Sequence, residues 1–210
     1  METHIGINAR NRKELTAQLW QARKTFPQKT WLHVDVSDPK FSKIKSYFNA
    51  AVLKKYSPYF NFEAHLMMPY KKIFSGGYLA KPLKKIWIHI SETKNWNTIK
   101  KAADERNIEV GIAIGIGEKK YVPKIPKNSG SILVLAVTPG PSGQKFGPKA
   151  VKLVSFLRKK YPRATISVDG GINPQTAKKS KIAGAKVAIS TSYIWRSKNP
   201  ADAFKKFISI

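Results

Sequence analysis

The chain has 210 residues and a formal net charge of +27, with 39 Lys and Arg against 12 Asp and Glu. It contains no cysteine, which excludes disulfides and thiolate metal sites, so any metal centre must be built from nitrogen and oxygen ligands. No apolar run reaches the roughly 18 residues of a membrane helix, and the opening METHIGINARNRKEL lacks a leader's apolar stretch, so a cytoplasmic protein without membrane contact is expected.

In chain order, short β-rich runs alternate with amphipathic segments. A strand over 4–7 precedes a helix over 13–24, and a strand over 30–36 precedes a helix over 44–56. The pattern continues with strands at 60–66, 85–90 and 109–114, each followed by a helix, at 70–78, 96–106 and 119–125. Strands at 131–137, 165–169 and 186–190 lead to helices at 148–160, 174–183 and 201–208. Asn173–Pro174 and Asn199–Pro200 read as an N-cap followed by proline at the first helical position, and Gly184 as the glycine that closes a helix. Repeated strand-then-helix units predict an α/β fold with a parallel sheet. Eight such units in one domain spanning 1–210 fit a closed (β/α)₈ TIM barrel near its lower size limit. An open doubly wound sheet, usually of about five to seven strands, is the alternative.

The lysines fall as scattered pairs, such as Lys54–Lys55, Lys84–Lys85 and Lys178–Lys179, mostly on the polar faces of helical segments. Nucleic-acid binding leaves a concentrated patch, so weak and non-specific attraction to polyanions is the most that this scatter predicts.

Against this basic background, a few acids and histidines stand in apolar runs. In WLHVDV, Leu32, Val34 and Val36 share the face toward the helices, while Trp31, His33 and Asp35 share the face toward the barrel interior. His65 follows the same alternation in FEAHLM, and Asp169 ends TISVD before Gly170–Gly171. Burying such groups unpaired is costly, and two His and two Asp at strand ends can supply four ligands to one divalent cation. Each also has a plainer reading: a buried His33–Asp35 pair, a core histidine at 65, and a turn-capping carboxylate at 169. His89 in KIWIHIS is another inward candidate, better suited to lining the substrate or supporting a ligand than to ligation. The loops after strands six, seven and eight read TPGPSGQKF, DGGIN and STSYIW. Glycines let backbone N–H groups approach an anion, and in barrels this corner is the usual phosphate site.

HVDV-x-D, HLM, TPGPSGQKF and VDGGIN, in this order on eight βα units, resemble the ribulose-phosphate 3-epimerase family from Ile5 to about Phe207. The resemblance implies a barrel that binds one divalent metal and epimerises C3 of a ketopentose 5-phosphate. It implies metal ligands His33, Asp35, His65 and Asp169, with Asp35 and Asp169 as the acid/base pair. It implies phosphate contacts from Gly140, Pro141, Ser142, Gly143, Gly170, Gly171, Thr191 and Ser192, and substrate contacts from Asn8 and His65.

The substrate shell departs from the family pattern. Asn8, Ala9 and Arg10 replace a Ser-Ala-Asp sequence, Ser37 and Ala136 replace methionines, and Pro39 replaces a glycine, while Met67 is kept. The loop glycines of Gly-Phe-Gly-Gly become Gly140-Pro141-Ser142-Gly143. Thr191-Ser192 replaces Gly-Ser, which conflicts with any need for positive φ there.

Two carboxylates on opposite sides of a substrate suit removal and return of a proton beside a ketone. The expected activity is interconversion of D-ribulose 5-phosphate and D-xylulose 5-phosphate through an enediolate, in a homo-oligomer. Zn²⁺ is the first choice of metal, with Fe²⁺, Mn²⁺ or Co²⁺ as alternatives, because a His₂Asp₂ shell does not choose sharply. The competing readings are an epimerase for another ketose phosphate, a different phosphate-binding barrel enzyme, and a non-catalytic barrel that binds a phosphate metabolite or RNA.

Overall fold

The computed structural model describes residues 1–42, 46–138 and 143–210. Eight parallel strands close into a barrel in sequential order. They are β1 (Glu2–Ile7), β2 (Trp31–Ser37), β3 (Asn61–Met67), β4 (Leu83–His89), β5 (Glu109–Gly115), β6 (Ser131–Leu135), β7 (Thr165–Asp169) and β8 (Val187–Ser190). The helices between them are α1 (Arg12–Thr25), α2 (Pro39–Ser42), α3 (Ala50–Tyr56), α4 (Tyr70–Ser75), α5 (Trp96–Asp104), α6 (Lys149–Lys160), α7 (Pro174–Ile182), α8 (Ser192–Trp195) and α9 (Pro200–Ile208). No helix among the described residues is long and apolar enough to cross a membrane.

Helix starts follow local chemistry. Asn11, Asn49, Asn173 and Asn199 each accept hydrogen bonds from backbone N–H groups of the first turn, which otherwise have no partner. Asn173 completes a reciprocal pair with Thr176. This preference explains one difference from the sequence reading: in the helix expected over 44–56, the described part 46–56 is helical only from Ala50, because Asn49 caps it there. Residues 44 and 45 lie outside the described residues. The segment expected as a helix at 119–125 is a 3₁₀ helix over Lys119–Lys124 with Pro123 inside it. Proline lacks the N–H that a regular α-helix requires. The strand expected to reach 137 ends at Leu135, and the short α2 and α8 add turns the periodicity did not signal.

The strands' outward faces, including Ile5, Ile7, Leu32, Val34 and Val36, are buried with the helices in one continuous apolar cluster. The barrel interior is divided. Trp87, Ala113, Leu133, Leu135 and Ile189 form a separate apolar plug on β4, β5, β6 and β8. Across from it, β1, β2 and β3 bury His4, His33, Glu63 and His65. Apolar packing therefore holds one side of the barrel rigid, while the other side is polar and must satisfy its groups by hydrogen bonding or ligation.

Arg158 ties the end of α6 to the turn before β8. Its guanidinium donates to the carbonyl of Gly184 (2.9 and 3.1 Å), and to those of Pro162 (2.7 Å) and Ala164 (2.9 Å). Arg158→Met should keep the aliphatic stem but leave these carbonyls without their donor, costing about 1–3 kcal/mol of folding stability. Denaturant unfolding monitored by tryptophan fluorescence checks this; an unchanged midpoint would show that water replaces the guanidinium.

Candidate metal and substrate site

The alternation of β2 puts His33 and Asp35 on one face, and the parallel register sets Asp35 beside His65 and His33 beside Glu63 on β3. Asp169 ends β7, separated from β2 around the closed barrel by β8 and β1. The four side chains predicted to meet do meet. Ligand atoms of His33, Asp35, His65 and Asp169 all lie within 4.8 Å of one another. His33 Nε2 and His65 Nδ1 each stand 3.5 Å from Asp35 Oδ1, too long for firm hydrogen bonds. His33 Nε2, both ring nitrogens of His65 and Asp35 Oδ1 are buried without a hydrogen-bond partner. Convergent buried polar atoms left without partners are costly, and a cation among them would take one nitrogen from each imidazole together with Asp35 Oδ1. The donor set, two imidazoles and two carboxylates, suits a divalent transition metal.

Asp169 also does what the plainer reading asked of it: its Oδ1 accepts the Gly170 N–H at 2.8 Å. The turn is thereby tied to the carboxylate, with its second oxygen left for other work.

One residue of the site escaped the sequence reading. Glu63 is fully buried, and its Oε1 accepts from Nδ1 of His33 at 2.7 Å and from Nδ1 of His4 at 2.8 Å. With Nδ1 donating to a carboxylate, the His33 ring presents Nε2 to the cluster, the arrangement by which carboxylates orient metal-binding imidazoles. The signal was available: Glu63 stands two residues before His65, on the same face of a strand, in a chain with few acids. His4 stacks on Trp31, with ring centroids 5.3 Å apart, and closes the polar chain below.

These neighbours separate the two carboxylates. Burial alone raises Asp35, but His33 and His65 outweigh it and hold its carboxyl well below the usual range. Asp169 is pushed up to about 7, first by burial and then by the negative charge of Asp35. Burial lowers His33, yet its contacts with Asp35 and Glu63 prevail and raise it to about 10. For His65 burial prevails and the imidazole is lowered.

A cavity opens over Asp35 and Asp169. Asn8 at the end of β1 forms one wall, and Gly143, Gly170, Gly171, Thr191 and Ser192 from the loops after β6, β7 and β8 form another. His65, buried beneath, does not line it. Gly140, Pro141 and Ser142 lie outside the described residues. Gly170 and Gly171 adopt φ of 99° and 65°, and a Cβ on Gly171 would lie 2.4 Å from the Phe146 nitrogen, so only glycine lets these loops meet.

Thr191, where a glycine was expected, has φ of −111° and carries no backbone strain. Its side chain fills the space above Gly6, where a Cβ would stand 1.8 Å from the threonine hydroxyl. The other departures are absorbed locally. Ser37 hydrogen-bonds Ser42, Pro39 opens α2, and Arg10 pairs with Glu14 at 2.9 Å on the surface.

A model of the ribulose-phosphate 3-epimerase family matches residues 5–195. The chain belongs to this family. The ribulose-phosphate 3-epimerase of Schizosaccharomyces pombe is 28% identical over 179 residues, covering 82% of this chain and 78% of that protein. The cytoplasmic isoform of the enzyme from Oryza sativa subsp. japonica is 28% identical over 184 residues, with the same coverage of both chains. Among solved structures, 3-hexulose-6-phosphate synthase from Salmonella typhimurium superposes with a TM-score of 0.71 at 16% identity, over 100% of this chain and 97% of that one. That likeness shows the barrel fold. Membership in the epimerase family makes this chain an isomerase acting on carbohydrates.

Two expectations follow. Glu63→Gln should weaken metal binding about 10- to 100-fold, read by chelator competition, because an uncharged amide oxygen accepts from the two imidazoles more weakly than a carboxylate does. An unchanged affinity would make Glu63 a passive filler. In chelator-treated protein, the raised pKa of Asp169 costs stability as pH climbs from 3.8 to about 7. The raised pKa of His33 gives stability that is full below 6.5 and lost as pH approaches about 10. Below pH 6.5 the lowered His65 and His89 work the other way, gaining stability as pH rises, but above it they add no slope, so the melting temperature should fall from pH 7 to pH 9. Metal loading, which strips the His33 proton, should release protons and reverse the trend.

Proposed function

We propose that this chain interconverts D-ribulose 5-phosphate and D-xylulose 5-phosphate by two-base proton transfer at C3, assisted by one divalent metal ion. The observation that supports this most is the pair of half-buried carboxylates, Asp35 and Asp169, brought together from different walls of the barrel with oppositely shifted acidities.

Epimerisation needs one group to take the C3 proton and another to return one on the other face. Asp35, kept ionised by His33 and His65, is suited to accept a proton. Asp169, raised by burial and by the negative charge of Asp35, is the one of the pair suited to hold and deliver a proton. Reversing direction exchanges the roles, since each half-reaction leaves the donor ionised and the acceptor protonated. His33, Asp35, His65 and Asp169 would hold the metal, with Zn²⁺ the first choice. When bound, the metal polarises the ketone and stabilises negative charge on the enediolate. Asn8, which lines the cavity, would hydrogen-bond the sugar, and His65, which does not line it, would act on the sugar through the metal. Gly143, Gly170, Gly171, Thr191 and Ser192, with Gly140, Pro141 and Ser142, would cradle the phosphate. A homo-oligomer in the cytoplasm completes the reading.

Purified protein loaded with Zn²⁺ should convert D-ribulose 5-phosphate to D-xylulose 5-phosphate, and elemental analysis should find about one metal per chain. Asp35→Asn and Asp169→Asn should each lower kcat by at least about 10²–10⁴ with the fold retained. In D₂O the product should carry deuterium at C3. Full turnover in a rigorously metal-free sample would remove the metal from the reading. Absence of turnover on this pair, with turnover on a hexulose 6-phosphate, would move the substrate.

A further inference from the structure

A second cavity, of about 430 Å³, opens beside the first over the ends of β4, β5 and β6. Val137 lines both. The phosphate-side wall comes from the loops after β6, β7 and β8, so in the closed ring the second cavity lies next to the first, displaced toward β4 and β5.

The second cavity holds buried polar groups that the fold leaves unused. His89 is 4% exposed, its ring lies edge-on to Phe41 at 4.9 Å, and neither ring nitrogen makes a hydrogen bond. Glu118 Oε2 stands 3.5 Å from His89 Nε2 and already accepts the Gly115 N–H at 2.7 Å. Burial, and then the neighbouring His65, lower His89 to about 3. A neutral imidazole offers one donor and one acceptor, which matches a hydroxyl group. Among the described residues no lysine or arginine lines this cavity, although the chain has 39. A second phosphate would therefore meet a carboxylate and no counter-charge.

We propose that this cavity is the subsite for the unphosphorylated end of the ketose, in which His89 and Glu118 hydrogen-bond the C1 hydroxyl. The inference rests on the function proposed above. With the phosphate against β7 and β8 and C3 between Asp35 and Asp169, the remaining carbons run toward β4 and β5. An orphaned imidazole at the end of that path gives the site a means of rejecting a chain that lacks the hydroxyl, because the analogue leaves buried polar groups unpaired. Phe41, Ile116 and Val137 give the cavity an apolar lining, which strengthens a hydrogen bond made against it.

The test compares equilibrium dissociation constants, by calorimetry, for D-xylulose 5-phosphate and 1-deoxy-D-xylulose 5-phosphate. Wild-type protein should bind the deoxy compound about tenfold more weakly or worse. His89→Leu and Glu118→Gln should each narrow that ratio to about threefold or less, while competition by inorganic phosphate stays within about twofold of wild type. Glu118→Gln keeps an acceptor for the Gly115 N–H, so it carries the test if His89→Leu misfolds. Equal affinity of wild type for the two sugars overturns the proposal, as does full discrimination retained in a folded variant. Discrimination without any turnover would sink the epimerase reading and leave the subsite standing.

Discussion

The site depends on one buried contact, the hydrogen bonding of Glu63 Oε1 to two imidazoles. An unpaired carboxylate at zero exposure is among the most expensive groups a fold can bury. Here the charge is opposed by His4 and His33, which hold Glu63 well below the usual carboxylate range although burial pulls the other way. The contact works in both directions. It makes Glu63 tolerable, and it fixes which nitrogen of His33 faces Asp35. Every distance in the cluster above it inherits that choice, since Asp35 lies two residues along the same strand and His65 lies opposite Asp35 in register. A polar chain running from His4 on β1 through Glu63 and His33 to Asp35 near the end of β2 replaces, on one side of the barrel, the apolar layers that fill the other.

That division explains what the sequence made legible. Two-residue alternation separated Leu32, Val34 and Val36 from His33 and Asp35 correctly, because a one-residue slip would bury the charged set among the helices. Eight units and their order were likewise plain, since each strand is an apolar run bounded by caps and turns. Helix limits were less plain where a polar residue competes locally, as Asn49 does, or where Pro123 removes a donor. Glu63 was overlooked although its phase on β3 matched that of His65. Its partners, His4 and His33, lie 59 and 30 residues away, and no local pattern announces a pairing made by sheet register.

The departures in the substrate shell show the same limit from another side. Thr191 looked incompatible with a loop that favours glycine. The strain never arises, because its backbone takes a negative φ and its side chain settles over Gly6, on a strand 185 positions earlier in the chain. The two positions compensate each other across the β1–β8 seam, where Trp195 also donates to the Gly6 carbonyl at 2.7 Å. Judged singly, threonine at this place counts against an intact site; judged with Gly6, it is a packing solution.

The charge of the chain belongs in the same account. Asp35, Glu63 and Asp169 are three of its 12 acidic residues, and all three sit in the barrel interior or at its mouth. Removing them from the surface leaves the exterior still more basic than the composition suggests. At physiological salt such charge acts over about 8 Å, so surface lysines draw anions toward the barrel without reaching its interior. Selection between anions then falls to the short-range groups of the mouth. On the proposed reading a glycine-lined wall faces one end of a ligand, two carboxylates its centre, and His89 with Glu118 the side where no lysine or arginine is found among the described residues. Basic surface and acidic centre are complementary: the first sets how often an anionic sugar arrives, and the second sets which of its bonds is placed to react.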